Sequence, residues 1–363
     1  MTKLAYITRV AVPNKVAQAE QITSMSKAFH DILGEDFVLV STTKKGEIDD
    51  RINFKREIIE VRNKNKFFRN IFFSFYVYFF LKRNKFKSIY TRDILISFIT
   101  TFFFKTPTFY EAHQPVRSFS SRVLQYIVSK NKYFNLITIT RSLSAYYNNR
   151  FDYHNEINVI PNGVYTADYN TYKTKDQIRS ELNIPKEDFI IVHTGSLFQN
   201  RGFEKFQVIL RNFPNIKLIQ LGGRKADIEK LKNKLSSFSN INFIEYQPKN
   251  IVVKYQQAAD ILFYITSKSS PIYWCTSPNK IFEYMLTKNP ILAPKIGSIT
   301  EILDVSNSYL FDFNDDDDLI NKIDLIINNN NISVVNKAYN QVQNFYSMEK
   351  RAHKILSLLS NEE

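Results

Sequence analysis

Glu283 lies in the stretch "SPNKIFEYM" (277–285), and its chemistry depends on where a helix begins. Ser277 is a good N-cap and Pro278 suits the first helical position, so the spacing predicts a helix opening there. Ile281, Phe282 and Met285 then share one buried face, which leaves Glu283 as an acid inside a half-buried helix. An ionised carboxylate offers two acceptor oxygens, which match the paired hydroxyls of a ribose. The backbone N–H groups of Asn279 and Lys280, with the helix dipole, can hold phosphate oxygens, while Pro278 supplies no donor. Ribose and phosphate together make a nucleotide. The plainer alternative is a glutamate paired with Lys280 on a solvated face.

A second stretch points the same way. "HTGSLFQNRGFEKF" (193–206) follows a strand-like run. Gly195 permits a tight strand-to-loop turn and Gly202 a close backbone approach. Arg201 can make paired hydrogen bonds to phosphate oxygens, unless it is an exposed arginine in an ordinary turn.

The elements that must position these residues are legible as alternating runs. In the second half "DFIIVHTG" (188–195), "IKLIQLG" (216–222), "INFIEY" (241–246), "DILFYIT" (260–266), "PILAPKI" (290–296) and "SYLFDF" (308–313) read as strands. Helix-period segments such as 225–237 and 249–258 separate them. The first half repeats this with "KLAYITRV", "FVLVSTT", "EIIEVR", "SIYTRD", "TFYEAH" and "LITITR". Strand and helix at this spacing predict parallel sheets covered on both faces. A chain of 363 residues is too long for one ordinary core, so two doubly wound α/β domains are expected. The turn formers of "NVIPNGV" (158–164) put the boundary near 165, giving domains 1–165 and 166–346. The segment 333–360 reads as long helix with no partner strand.

Charge is uneven. Residues 1–165 carry 25 Lys/Arg against 13 Asp/Glu, twelve of the fourteen excess positive charges. Between Glu60 and Asp93 stand nine bases and no acid, around "FFRNIFFSFYVYFFLKRNKFK" (67–87). Its apolar centre, Ile71 to Leu81, is too short to span a bilayer, which needs roughly 20 residues. Basic flanks about an aromatic helix point either to an anionic membrane surface or to a helix packed on a sheet beneath solvated bases. Cys275, the one cysteine, cannot form an internal disulfide and rules out cysteine-zinc spacing. No signal peptide precedes "MTKLAYITRV", so a cytoplasmic location is expected. The basic half lacks RNA and DNA signatures, so no nucleic-acid partner is expected. "FNDDDDLI" (313–320) reads as acids on a helix first turn rather than a metal cluster.

The set "VIPNGV", "TGSLFQNRGFE", "LGG" (221–223), "QQAADILFY" (256–264) and "SPNKIFEYMLTKNPILAP" (277–294) resembles, in order and spacing, a retaining glycosyltransferase of the GT-B fold, family 4 (glycosyltransferases group 1), a family with many cell-surface polysaccharide and glycolipid enzymes. The likeness covers roughly residues 155–310 and is weaker before them. It implies two Rossmann-like domains facing across a cleft, a nucleotide-sugar donor in the C-terminal domain, and a glycan or lipid-linked acceptor held by the N-terminal one. It also implies no metal or cofactor, and a final helix (347–363) that returns to the first domain. Glu283 matches the second glutamate of the family's E-x7-E motif, the ribose ligand. Gly195, Ser196, Arg201, Asn279 and Lys280 match its nucleotide and diphosphate positions, and Cys275, Thr276 and Ser277 its donor-sugar loop. His113, in "YEAHQP" (110–115), resembles the strand-end histidine near the reacting centre. His30, His154, His193 and His353 are read as structural. The chain departs from the pattern in three places: Cys275 replaces the first motif glutamate, Ser196 replaces a phosphate arginine, and "TRVAVPNKVAQAEQ" (8–21) has no glycine. A catalytically silent scaffold that docks a partner, or a sugar epimerase on the same fold, are the alternatives left by these departures.

Overall fold

The structure is a computed structural model that describes residues 2–14, 16–43, 51–60, 65–170, 172–198, 200–329 and 331–360. Arg62 and Lys64 of the basic block lie outside these. The chain divides into two compact units, Met1–Asn162 with Met348–Glu363, and Gly163–Ser347.

In the first unit the strands are β1 (Thr2–Ala11), β2 (Phe37–Thr42), β3 (Arg56–Ile58), β4 (Phe86–Thr91), β5 (Thr108–Ala112), β6 (Phe134–Thr138) and β7 (Asn158–Val159). They form one parallel sheet in the order β3-β2-β1-β4-β5-β6-β7. Between them run α1 (Ala17–Leu33), α2 (Lys66–Arg83), α3 (Ile94–Phe103), α4 (Phe119–Ser129) and α5 (Arg141–Asn148). Alternate strand residues Ala5, Ile7, Val38, Val40 and Ile89 bury against Phe73, Val77 and Leu81 of α2 and Ile96 and Ile99 of α3. Each of the valine, leucine, isoleucine and phenylalanine side chains contributes about 1.5–3 kcal/mol when removed from water.

The second unit repeats the plan. Its strands are β8 (Phe189–Thr194), β9 (Ile216–Leu221), β10 (Ile241–Ile244), β11 (Ile261–Phe263), β12 (Ile291–Pro294) and β13 (Tyr309–Phe311), parallel in the order β10-β9-β8-β11-β12-β13. Its helices are α6 (Lys175–Glu181), α7 (Lys205–Asn212), α8 (Lys225–Lys234), α9 (Lys249–Ala258), α10 (Asn279–Met285), α11 (Asp316–Asn328) and α12 (Ile332–Phe345). The two faces are separated residue by residue. Ile190, Val192 and Leu262 pack under α9, α10 and α12. Ile191, Ile261 and Phe263 pack under α7 and α11. This is the period-2 alternation of a sheet buried on both sides.

Three expectations change in detail. α10 starts at Asn279, with Pro278 rather than Ser277 in the cap position, and no side chain caps it. "EIIEVR" contributes only Glu57 and Ile58 to a three-residue strand that begins at Arg56. The long C-terminal helix is two, α12 and α13 (Met348–Ser360), broken at Tyr346 and Ser347. There Val164 donates its N–H to the Tyr346 carbonyl at 2.9 Å and bridges Ser347. Gly163 lies so close that a Cβ would meet the Tyr346 oxygen at 2.6 Å, which only a residue without a side chain permits. α13 then packs on α1 of the first unit. Acids 315–318 behave as the sequence suggests: Asp315 caps α11 by accepting from the Asp318 N–H at 3.1 Å.

Candidate functional site

The strand order of the second unit reverses at β8, which pairs with β9 on one side and β11 on the other. Ligands of open parallel sheets bind beyond the carboxyl ends of strands at such a point. Gly195 follows β8 there with φ +133, a conformation that side chains disfavour. A Cβ on it would sit 2.1 Å from Cε of Lys280, so the lysine side chain of α10 lies directly over the glycine. The turn is fixed from below. Gln220 donates to the carbonyls of Gly195 (3.0 Å) and Gly222 (2.9 Å), and its own oxygen meets His193 Nδ1 at 2.7 Å. Burial, with the charges of Lys280 and Arg201, pushes His193 down to about 3. It is a neutral structural group, as the sequence suggests.

Glu283 is held rather than free. Lys249, the first residue of α9, donates to Oε1 at 2.5 Å, and Gln256 donates to Oε2 at 2.9 Å. Its ion-pair partner is thus Lys249 rather than Lys280. Gln256 is fully buried and fully used: it also donates to Thr194 Oγ1 at 3.1 Å and accepts from the Tyr169 hydroxyl at 2.5 Å. Thr194 in turn donates its N–H to the Tyr284 hydroxyl at 3.0 Å. Burial opposes charge on Glu283, but Lys249 and Lys280 outweigh it and hold the carboxyl below the usual carboxylate range. Its side chain keeps 16% exposure, and with one bond accepted at each oxygen the ionised carboxylate retains lone pairs for a hydroxyl.

The cations gather near it. Burial pushes the Lys280 ammonium below its ordinary value, Glu283 opposes this, and the charges of Arg201 and Lys249 add to the fall. Arg201 is half-exposed, its guanidinium 5.2 Å from the centre of the Phe198 ring. Ser196 beside it is exposed. Gly195, Lys280, Arg201 and Glu283 are therefore brought together, with Lys249 and Gln256 as members that sequence reading passed over. Gln256 lies inside the quoted "QQAADILFY", but nothing local marks it as a glutamate's partner.

The donor-sugar loop positions divide. Cys275 is fully buried, and its thiol approaches the Ile272 carbonyl at 3.7 Å. Ser277 is buried too, which leaves Thr276 as the half-exposed member. The loop is pinned where Ser298 donates to the Thr276 carbonyl at 2.6 Å. At Asn279 and Lys280 the helix is only seven residues long, and its Ile281 N–H is already bonded to Pro278 at 3.1 Å.

In the first unit His113 follows β5 and contacts Glu111. Glu111 is completely buried and also accepts from Arg92 (2.8 Å) and Arg351 of α13 (2.7 Å). Burial would raise its pKa, but Arg351 and the His113 contact bring it to about 2. Burial and the Arg92 charge push His113 down to about 4, against Glu111, so it is neutral at pH 7. Among the described residues no three His, Cys, Asp or Glu side chains could hold a metal ion, and no helix is long and apolar enough to cross a membrane.

Two parallel Rossmann-like sheets give the chain the fold of GT-B glycosyltransferases. The sequence model of glycosyl transferases group 1 matches residues 174–362, and the chain belongs to that family. Solved structures share the fold at low identity. A glycosyltransferase from Rickettsia africae ESF-5 aligns with TM-score 0.82 and 14% identity, over 99% of this chain and 98% of that one. Sucrose-phosphate synthase from Thermosynechococcus elongatus gives 0.78 and 16%, over 99% of both. Anabaena HepE in complex with UDP and glucose gives 0.77 and 15%, over 99% and 100%. No curated protein sequence matches.

Proposed function

We propose that this glycosyltransferase moves a sugar from a nucleoside diphosphate sugar to a glycan or lipid-linked acceptor, with retention and without a metal, as a family 4 enzyme of surface polysaccharide or glycolipid assembly. The observation that carries the donor half is one ionised carboxylate, Glu283, set beside two cations, Lys280 and Arg201, at the sheet's switch point. Glu283 accepts the ribose hydroxyls. Arg201 and Lys280 stabilise the diphosphate as charge develops on it during departure, fixed charges being most effective where little reorganisation is needed. The acceptor hydroxyl attacks on the face the diphosphate leaves and passes its proton to the departing phosphate oxygen, so retention needs no nucleophilic carboxylate. His113, neutral at pH 7, serves as a hydrogen-bonding group at the reacting centre rather than as an acid.

The acceptor side is read from charge. The 61–92 block would hold the enzyme at the cytoplasmic face of an anionic membrane, each exposed base contributing about 1 kcal/mol within a Debye length of roughly 10 Å, while Arg92 is sealed against Glu111. WaaG, described as involved in lipopolysaccharide biosynthesis, supports a lipid-linked glycan as acceptor, and HepE, solved with UDP-glucose, supports a nucleoside diphosphate sugar as donor. A panel of nucleotides in thermal shift selects the base, since ligand binding raises apparent stability. Release of nucleoside diphosphate from the matching nucleotide-sugar, unchanged by chelator, and the product's anomeric configuration by NMR then test the reaction. Inversion, or loss of turnover with chelator, would overturn it.

A further inference from the structure

The solvent side of α2 is aromatic. Phe73, Val77 and Leu81 face the core, while Phe68, Phe72, Phe75, Tyr76 and Phe79 recur at helical spacing in solvent, Phe75 60% and Phe79 54% exposed. Phe103 of α3, 62% exposed and edge-on to Tyr78 at 5.8 Å, widens the stripe. Core packing does not require such a face, and contiguous apolar surface of this kind marks an interaction site.

At the C-terminal end of the stripe a cavity of about 460 Å³ opens between α2 and the β2–β3 edge, sharing Tyr76 and Phe79 with it. That volume falls within the roughly 300–1,000 Å³ of small-ligand sites. Phe80 stacked on Phe86 at 5.7 Å lies on one side, and Lys55, Arg56 and Arg83 line the rest. Lys55 and Arg83 are exposed and pair with none of the described carboxylates, whereas Arg56 donates to the Val12 carbonyl at 3.2 Å. Glu57 is the one acid of the lining, and the Tyr76 hydroxyl already donates to it at 2.5 Å. From 61 to 151 the sequence has sixteen Lys/Arg and two acids, Asp93 and Glu111, both buried. The surface around the stripe is therefore made for an anion with a hydrocarbon attached.

We propose that this cavity seats the phosphate group of an anionic phospholipid, held by Lys55 and Arg83 with Arg56, while the aromatic stripe of α2 enters the headgroup boundary. The inference rests on the membrane reading above and adds a discrete headgroup site to it. A diffuse basic surface would respond to the number of charges; a seat responds to which charges are changed.

The test is co-sedimentation of the full chain with vesicles of phosphatidylcholine alone or with phosphatidylglycerol. Wild type should bind the anionic vesicles. Lys55→Glu/Arg83→Glu should weaken that binding at least tenfold more than Lys82→Glu/Lys85→Glu, the same change in net charge within the same basic block but outside the cavity lining. Phe72→Ser/Phe75→Ser should abolish binding, with circular dichroism checking that each variant is folded. Equal losses for the two charge variants would overturn the seat and leave the membrane reading standing. No binding by wild type would overturn both. Inorganic phosphate that displaces the protein at low millimolar concentration would show a free-phosphate site instead. Light scattering in which wild type is dimeric and Phe72→Ser/Phe75→Ser monomeric would assign the stripe to a second copy and overturn the proposal.

Discussion

Glu111 and Glu283 are both glutamates held ionised below the usual carboxylate range, one in each unit, and their surroundings differ in kind. Glu111 is fully buried, and both its oxygens are taken by arginines that are themselves nearly sealed, 7% exposed for Arg92 and 2% for Arg351. Glu283 is 16% exposed and accepts one bond at each oxygen, and its cation, Lys249, is 30% exposed. A depressed pKa alone would rank the two as equal candidates. What separates them is whether any acceptor capacity remains for a ligand. A saturated carboxylate holds a fold together; a partly saturated one can also bind.

The largest effect that would sharpen this contrast is on stability. Glu111→Gln leaves Arg92 and Arg351 buried with less than a full counter-charge, and should cost about 3–5 kcal/mol. The urea midpoint should fall at constant slope, while nucleotide affinity of the folded fraction stays the same. An unchanged midpoint would erase the distinction. Glu283→Ala should do the reverse. Binding of the stabilising nucleotide should weaken by about 1.5–3 kcal/mol, on the order of 10- to 100-fold by calorimetric titration. Stability should fall by only about 1–3 kcal/mol, because Lys249 can reach water and the cost is confined to the buried Gln256 amide losing one acceptor.

A smaller and more selective loss is expected for Arg201→Ala. Nucleoside diphosphate binding should fall about tenfold while the bare nucleoside is barely affected, and Arg201→Lys should recover part of it. Equal losses for both ligands would make Arg201 a structural residue. The smallest effect is a slope with pH. Glu111 and His113 both titrate lower in the folded protein, so their contributions are complete above the ordinary values and are lost on acidification. Urea midpoints should decline from about pH 6.5 toward 4 through His113, and from about 4.5 toward 2 through Glu111. His113→Gln should flatten the upper part of that decline, and a midpoint independent of pH above 4.5 would contradict it.

The second unit was largely legible from sequence because its signals are local. Alternation in "DFIIVHTG" and "DILFYIT" sets strand faces, and Ile281, Phe282 and Met285 set the helix face that aims Glu283. Lys249 and Gln256 were not legible, since α9 reaches Glu283 only through the sheet's connectivity, 34 and 27 residues away. Glu111 stood unremarked two residues before His113. Its decisive partner, Arg351, is 240 residues distant, where no spacing rule reaches. The helix start slipped by one residue because Pro278, lacking an N–H, serves as well before the first turn as within it.

The return of α13 to the first unit also orders events during synthesis. Residues 348–360 emerge only after the whole of Gly163–Ser347, so the second unit is complete while the first still lacks a helix. Domains generally fold as units while the chain is being made. Here the earlier-made domain is the later to finish. Until Arg351 arrives, Glu111 sits under α1 without its closest counter-charge, and the surface that will receive Ala352 and Ile355 stays open to water. The nascent first unit is thus the part of the molecule that a chaperone or a protease would meet first.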